Sequence, residues 1–327
     1  MAYLAKIAVE LGQAVARRAA SGSAPGPPTL RVLARGDGWS VDDLICTCGP
    51  HDRPFEERHG QFSIALVLAG TFQYRAAAGS DRKGQLMMPG SLLLGNPGQA
   101  FECGHEHGAG DRCLSFHFSQ DYFERIAADA GAGRSRRRFQ VLRLPAKGEM
   151  SELAARASAG LARTSNVQNA GPSAAAAWEE IALKLAASTL RLANGEVRFA
   201  SGPPSSATAR MTRALRMIEK SQGSAQDSEL TLQHLAQAAG LSPYHFLRTF
   251  EQVTGVTPHQ YVRRLRLRHA ATQLLADSSK ILDIVMRCGF GDLSNFNRAF
   301  RTEFGVSPRQ FRGRGRHSDI VFPEKCA

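Results

Sequence analysis

A chain of 327 residues exceeds one ordinary small domain, and its 43% hydrophobic and 21% charged content is that of a globular protein, not a disordered one. No apolar run reaches the ~18 residues a membrane helix needs. Six cysteines (Cys46, Cys48, Cys103, Cys113, Cys288 and Cys326) are too few over this length for a secreted disulfide scaffold. The formal charge of +12 is uneven: residues 207–327 carry 18 Lys/Arg against 10 Asp/Glu, a surplus that attracts polyanions, nucleic acid before anionic membrane.

In chain order, Met1–Ala20 reads as a weakly amphipathic helix ending in Arg17-Arg18. It lacks the charged start, clean apolar core and cleavage site of a secretory signal, so the reducing cytoplasm is the expected compartment. A Pro/Gly/Ser linker follows at 21–28. From Leu30 to Gln140, short apolar runs alternate with turn residues: Phe62–Leu68 before Ala69-Gly70, Phe72–Tyr74, Leu86–Met88 before Pro89-Gly90, Ser91–Leu94 before Gly95-Asn96-Pro97-Gly98, and Leu114–Phe118. That texture predicts an all-β sandwich or barrel. Arg134–Arg138 reads as a basic surface loop. Glu149–Ala162 and Ala174–Ala193 then show helical spacing, with Trp178, Ile181, Leu185 and Leu192 on one face of the second. This pair is read as either a dimerisation element, with Trp178 near the interface, or a cap on the barrel. Gly202-Pro203-Pro204-Ser205-Ser206 marks the clearest linker, at 195–207, and everything beyond it reads as helix.

The strongest signal is an internal repeat with a period of 50 residues. Phe246-Leu-Arg248-Thr-Phe250 matches Phe296-Asn-Arg298-Ala-Phe300, Gly255-Val-Thr-Pro258 matches Gly305-Val-Ser-Pro308, and Tyr261 matches Phe311. Each copy has the layout of a helix-turn-helix. A short amphipathic helix (Ile281, Ile284, Val285 and Cys288 in copy two) ends at Gly240 or Gly289, since glycine accepts the left-handed conformation there. Ser242 or Asp292 caps a second helix, expected to bury Phe246, Phe250 and Val253 in copy one and Leu293, Phe296, Phe300 and Phe304 in copy two. The opposite face carries side chains that suit a major groove, because Arg can bond guanine bidentately and Asn adenine, while an apolar group can touch the thymine methyl. A continuous helix from Pro258 to Asp277, bearing Arg263, Arg264, Arg266 and Arg268, should set the spacing of the two units. Helices ~34 Å apart fit successive major grooves.

On the motif from Ile281 to Arg301 and its first copy, residues 208–313 resemble the AraC/XylS-type transcription regulators. The resemblance implies two recognition helices in adjacent major grooves of double-stranded DNA. Tyr244, Leu247 and Arg248 would contact DNA from the first and Ser294, Asn295 and Arg298 from the second, with Arg301 on the same exposed face as a further DNA-binding residue. Leu247 departs from the polar residues often found at its position. The segment 55–120, through Leu66-Val67-Leu68-Ala69-Gly70 and the Pro89-Gly90 and Pro97-Gly98 turns, resembles the cupin-like barrel such regulators carry. It implies a sensor for an unknown small-molecule, metal or redox signal. The expected architecture is therefore α+β and multidomain: N-terminal helix and linker 1–28, cupin-like sensor barrel 29–145, helical packing or dimerisation element 146–194, linker 195–207, an all-α domain with two helix-turn-helix units 208–315, and a tail 316–327. A homodimer is expected, with RNA polymerase as a further partner if the protein activates.

No enzyme activity, cofactor or membrane partner is expected. By position His59 could be a surviving cupin metal ligand, but Ser63 and Phe101 stand where another acid and a histidine would be needed. A metalloenzyme with a DNA-binding tail would need a reactive cysteine in a recognisable setting, and none stands out. Cys103, His105 and His107 alternate, as do Cys46 and Cys48, with Cys113 and His117 nearby. Thiolate and imidazole suit zinc or another thiophilic metal, which makes Cys103, His105, His107 and Cys113 candidate ligands. Gly104, Gly108 and Gly110 favour the alternative, a loop whose residues are not held in ligand geometry and cysteines that merely pack.

Overall fold

The computed structural model describes residues 3–22, 27–76, 84–133, 137–164, 172–193, 205–221 and 230–317. Strands β1 (Thr29–Gly36), β2 (Trp39–Cys46), β9 (Asp111–Phe118), β4 (Phe62–Gly70), β7 (Leu92–Gly95) and β10 (Arg143–Leu144) form one sheet in that order. A second sheet runs β3 (Phe55–Arg58), β8 (Ala100–Gly104), β5 (Phe72–Ala76), β6 (Gln85–Met87). Among the described residues the strand pairings are antiparallel, and the two sheets face each other as the cupin-like barrel expected.

The β4 sequence Phe-Ser-Ile-Ala-Leu-Val-Leu-Ala-Gly is apolar almost throughout because both of its faces are covered. Phe62, Ile64 and Leu66 pack outward against helices α1 (Tyr3–Ser21), α2 (Gln120–Asp129), α3 (Ser151–Thr164) and α4 (Pro172–Ala193). Ala65 and Val67 point inward with Phe72, Tyr74, Leu93 and Phe101. The period-2 alternation of a strand thus divides the barrel into an inner core and an outer, helix-covered one. N-terminal helix α1 belongs to the latter: Ile7 and Leu11 are buried in it, and Glu10 pairs with Arg112 at 2.5 Å.

Trp178 does not lie at a free surface. It is 2% exposed and seated against Gly160 of α3, where an added Cβ would come within 2.9 Å of the indole. Its face of α4 covers the barrel, with Phe116 at 6.3 Å between ring centroids, so the expectation of Trp178 at a dimer interface is corrected. The apolar stripe on this helix is used up within the chain.

The C-terminal helices are α5 (Ser205–Ser221), α6 (Leu232–Ala238), α7 (Pro243–Thr254), α8 (Pro258–Ala276), α9 (Ile281–Arg287), α10 (Leu293–Phe304) and α11 (Pro308–His317). Of the expected linker 195–207, residues 195–204 lie outside the described residues, and 205–207 are already helical. Residues 23–26 of the first linker, 134–136 of the basic loop and 318–327 of the tail also lie outside them.

The two halves share their interiors. Leu86, Met88 and Ala146 from the barrel side complete the core of the first helix-turn-helix, and Ala155 of α3 joins that of the second. Polar contacts accompany this. The Gly70 amide donates to Glu219 of α5 at 2.7 Å, the Tyr261 hydroxyl to the Pro89 carbonyl at 3.3 Å, and Ser151 to Glu303 at 2.5 Å. Arg143 of β10 donates to the Val253 and Thr254 carbonyls at 2.9 and 3.0 Å, at the C-terminal end of α7. The helical domain is therefore seated directly on the barrel, which offers a route between the two that does not pass through the linker at 195–207.

Candidate functional site

Each helix-turn-helix forms as its sequence dictates. Gly240 (φ 64°) and Gly289 (φ 76°) supply the left-handed residue between helices. The Ser242 and Asp292 side chains accept the His245 and Asn295 amides at 3.4 and 2.7 Å, capping α7 and α10. Phe246 and Phe250, and Phe296 and Phe300, are wholly buried. Leu293, expected with them, is instead 40% exposed at the start of α10, because it falls one turn before the aromatic stripe begins.

With the aromatic faces inside, Tyr244, Leu247 and Arg248 of α7, and Ser294, Asn295, Arg298 and Arg301 of α10, are all exposed. Tyr244 is 69% exposed, which for a tyrosine at a helix N-terminus leaves the ring available to a partner. On α10 the polar side chains are pre-arranged: Asn295 donates to Asp292 at 2.8 Å and accepts from Arg298 at 2.6 Å. Beside them a cleft of about 570 Å³ is lined by His259, Arg263, Arg266, Asn295 and Arg298, a cationic hollow between α8 and α10. The arginines of α8 divide their labour in a way sequence reasoning missed. Arg263 is exposed, whereas Arg264 donates to the Ala146 carbonyl (3.4 Å), Arg266 to Gly289 (3.0 Å), and Arg268 is buried against Gly90. An arginine-rich helix looks solvent-facing in sequence, and only the docked barrel turns it inward.

Inside the barrel a cavity of about 210 Å³ lies between the sheets. Its walls include Leu44, Ala65, Phe72, Leu93 and Phe101, with His59, Ser63, Ser115 and His117 as polar groups and Glu57, Arg58 and Asp111 as charged ones. His59 stacks on Phe101 at 4.2 Å, and its two ring nitrogens meet the Ser63 hydroxyl (2.9 Å) and the Tyr74 hydroxyl (2.7 Å). Burial, reinforced by His117, holds its pKa down to about 4, so the ring is neutral at pH 7. The three positions compared with the cupin metal triad, His59, Ser63 and Phe101, do converge, but both nitrogens of the histidine are engaged by hydroxyls. His117 lies 3.5 Å from Asp42, and burial lowers its pKa against that carboxylate's pull.

The cysteine and histidine candidates separate. Cys103 and Cys113 are buried beside the cavity, Cys113 with its thiol 3.3 Å from Asp111. His107 turns away, its Nε2 3.7 Å from Glu106. His105 is 4% exposed and held by Asp111 at 2.7 Å, so the reading of its loop as loosely held is corrected. Gly110 (φ 74°) ties that loop down by donating to the Cys48 carbonyl at 2.8 Å. The partners His105 does meet, Cys46 and Cys48, stood out in sequence only as an alternating pair.

Two family descriptions match the chain: "AraC-like ligand binding domain" over residues 44–186 and "Helix-turn-helix domain" over residues 235–314. The HTH-type transcriptional regulator Rv1931c of Mycobacterium tuberculosis is 41% identical over 78 residues, 24% of this chain and 30% of that protein. The HTH-type transcriptional activator RhaS of an Enterobacter species is 39% identical over 92 residues, 28% of this chain and 33% of RhaS. The chain thus spans about a third of the length of these curated relatives. Among solved structures, a transcriptional regulator from Chromobacterium violaceum with an AraC-type DNA-binding domain is 27% identical, covering 34% of this chain and 96% of that one, with a TM-score of 0.31. Among the described residues, no helix is long and apolar enough to cross a membrane.

Proposed function

We propose, on the premise that the chain belongs to the AraC/XylS-type transcription regulators, that it is a sequence-specific DNA-binding regulator acting in the cytoplasm and set by a small-molecule effector in the barrel cavity. The observation that carries the DNA reading is the duplication: two helix-turn-helix units on one rigid connecting helix, each burying an aromatic face and presenting Arg248 or Arg298 outward. A bundle that served only as a scaffold would not need the same turn and the same outward arginine twice. Arg298 and Asn295 are suited to base edges, and Arg263 to phosphate.

The effector reading rests on the cavity. Apolar walls with the hydroxyls of Ser63 and Ser115 and the His59 ring, beside the charged Glu57, Arg58 and Asp111, favour a small, mainly apolar molecule with a polar head. Its route to the DNA-binding half is short. Leu93 of β7 lines the cavity, and the turn just before β7 holds Pro89, which accepts from Tyr261, and Gly90, on which Arg268 rests. An effector regulates only by binding two states unequally. The states are the docked arrangement and one in which the 88–91 turn releases α8. A homodimer would place four recognition helices on one operator, and an activating role would add contact with RNA polymerase.

Selection from a random duplex library with the full-length protein tests this. The expected outcome is an enriched site with two half-sites about 10 base pairs apart, bound with steep salt dependence. No enrichment over input, or binding indifferent to salt, overturns the reading.

A further inference from the structure

We propose that Cys46, Cys48 and His105 form a binding site for a thiophilic d10 metal ion, with zinc as the probe. Three segments bring the ligands together. Cys46 ends β2, Cys48 stands in the turn that follows, and His105 comes directly after β8. One ligand-capable atom from each lies within 4.8 Å of the other two, and all three residues are buried. Zinc–sulfur and zinc–nitrogen bonds of about 2.3 and 2.1 Å place tetrahedral ligand atoms roughly 3.5–3.8 Å apart. The cluster therefore has to contract by at most about 1.0–1.3 Å, within the reach of side-chain torsions.

The histidine is prepared for the role. Its Nε2 lies 2.7 Å from Asp111 Oδ1, so the carboxylate accepts from Nε2–H and leaves the lone pair on Nδ1. That Nδ1 is buried and has no hydrogen-bond partner among the described residues, a costly condition for a ring nitrogen unless something takes its lone pair. A carboxylate holding the far nitrogen of a metal-binding histidine is the arrangement that fixes tautomer and ring orientation at zinc sites. A Cys46–Cys48 disulfide would leave Nδ1 without a role, which is why the metal is preferred.

The backbone carrying the cysteines is also pinned. Arg18 of α1 donates to the Thr47 carbonyl at 2.8 Å and bonds both oxygens of Asp52, at 2.5 and 2.7 Å. Asp52 in turn accepts the Gly49 amide at 2.6 Å. Helix α1 thereby cinches the 46–52 turn, and the ligands are preorganised before any ion arrives. With three protein ligands the ion keeps an open position. Cys46 and Asp111 also line the barrel cavity, so the site adjoins it.

The site lies under the docked helical domain as well. Arg216 of α5 donates to the Ala109 carbonyl at 2.9 Å and its guanidinium covers Gly108, on the same loop as His105.

The experiment uses full-length protein, reduced, stripped with chelator and dialysed against buffered zinc, with metal counted by elemental analysis and cobalt(II) substituted for spectroscopy. One ion per chain and a thiolate-to-cobalt charge-transfer band are expected. Asp111→Asn should weaken zinc about 10–100-fold. Cys46→Ser, Cys48→Ser and His105→Ala should lose it more completely, while Cys103→Ser and His107→Ala retain it. Circular dichroism of each metal-free variant against the metal-free parent separates lost ligation from lost folding. Substoichiometric zinc in the parent overturns the proposal, as does stoichiometric zinc that survives Cys46→Ser and His105→Ala or binds cobalt without the thiolate band. None of these readouts involves DNA, so the site stands or falls apart from the DNA-binding reading.

Discussion

Arg143→Ala should loosen the seat of the first helix-turn-helix on the barrel. The guanidinium is fully buried and makes two charge-assisted hydrogen bonds to carbonyls at the end of α7. Bonds of this kind contribute about 1.5–3 kcal/mol each. Against them stands desolvation, which pushes the Arg143 pKa down to about 10, a cost of about 3 kcal/mol. The remainder is about 0–3 kcal/mol, and leaving the Val253 and Thr254 carbonyls without a donor moves the expectation to about 2 kcal/mol, or roughly thirtyfold in the docking equilibrium. The reporter is the Gly70 amide, which donates to Glu219 across the same junction. Helices α5 and α7 share one core, so they leave together. Hydrogen exchange of Gly70 should accelerate about thirtyfold in Arg143→Ala, and less in Arg143→Lys, which keeps a charge but not the forked geometry. Unchanged Gly70 exchange in a folded Arg143→Ala protein would refute the claim that this arginine holds the domains together.

Three further outcomes are expected. Arg298→Ala should cost about 1–3 kcal/mol on the selected site and relax one half-site, with Arg248→Ala acting on the other; equal losses on random DNA, measured by fluorescence anisotropy, would reduce both to phosphate contacts. Trp178→Ala should destabilise the chain itself by about 3–5 kcal/mol, because the indole is core; a variant that only changes the sedimentation coefficient, with unaltered denaturation, would restore the interface reading. Stability should fall as pH drops from 6.5 toward 4. Burial lowers both His59 and His269 to about 4, so the unfolded chain binds more protons across that window, and the stabilisation complete above pH 6.5 is lost through it. Each histidine sets an upper limit of about 3 kcal/mol, and denaturant midpoints equal at pH 7.5 and 5 would contradict it.

What the amino-acid order determines here is local. The repeat shows because both copies need a capping side chain at the same place, a left-handed glycine and buried phenylalanines at the same spacing, all within 20 residues of one another. The β4, β5, β6, β7 and β9 strands show because alternation and turn glycines are short-range signals, and the outward set on α7 and α10 follows from knowing which face is aromatic. Tertiary structure alone decided the rest, where the partner is distant in the chain. Trp178 looked available because its covering glycine, Gly160, sits on another helix. The arginines of α8 look solvent-facing in sequence, but the Pro89-Gly90 turn and Ala146, more than a hundred residues away, take Arg268 and Arg264. Cys103, His105 and His107 share a strand period, yet the groups that meet are Cys46, Cys48 and His105, because a cavity wall and a loop tied by Gly110 choose neighbours by space and not by spacing. Periodicity reports the face a residue is on, and only packing reports what faces it.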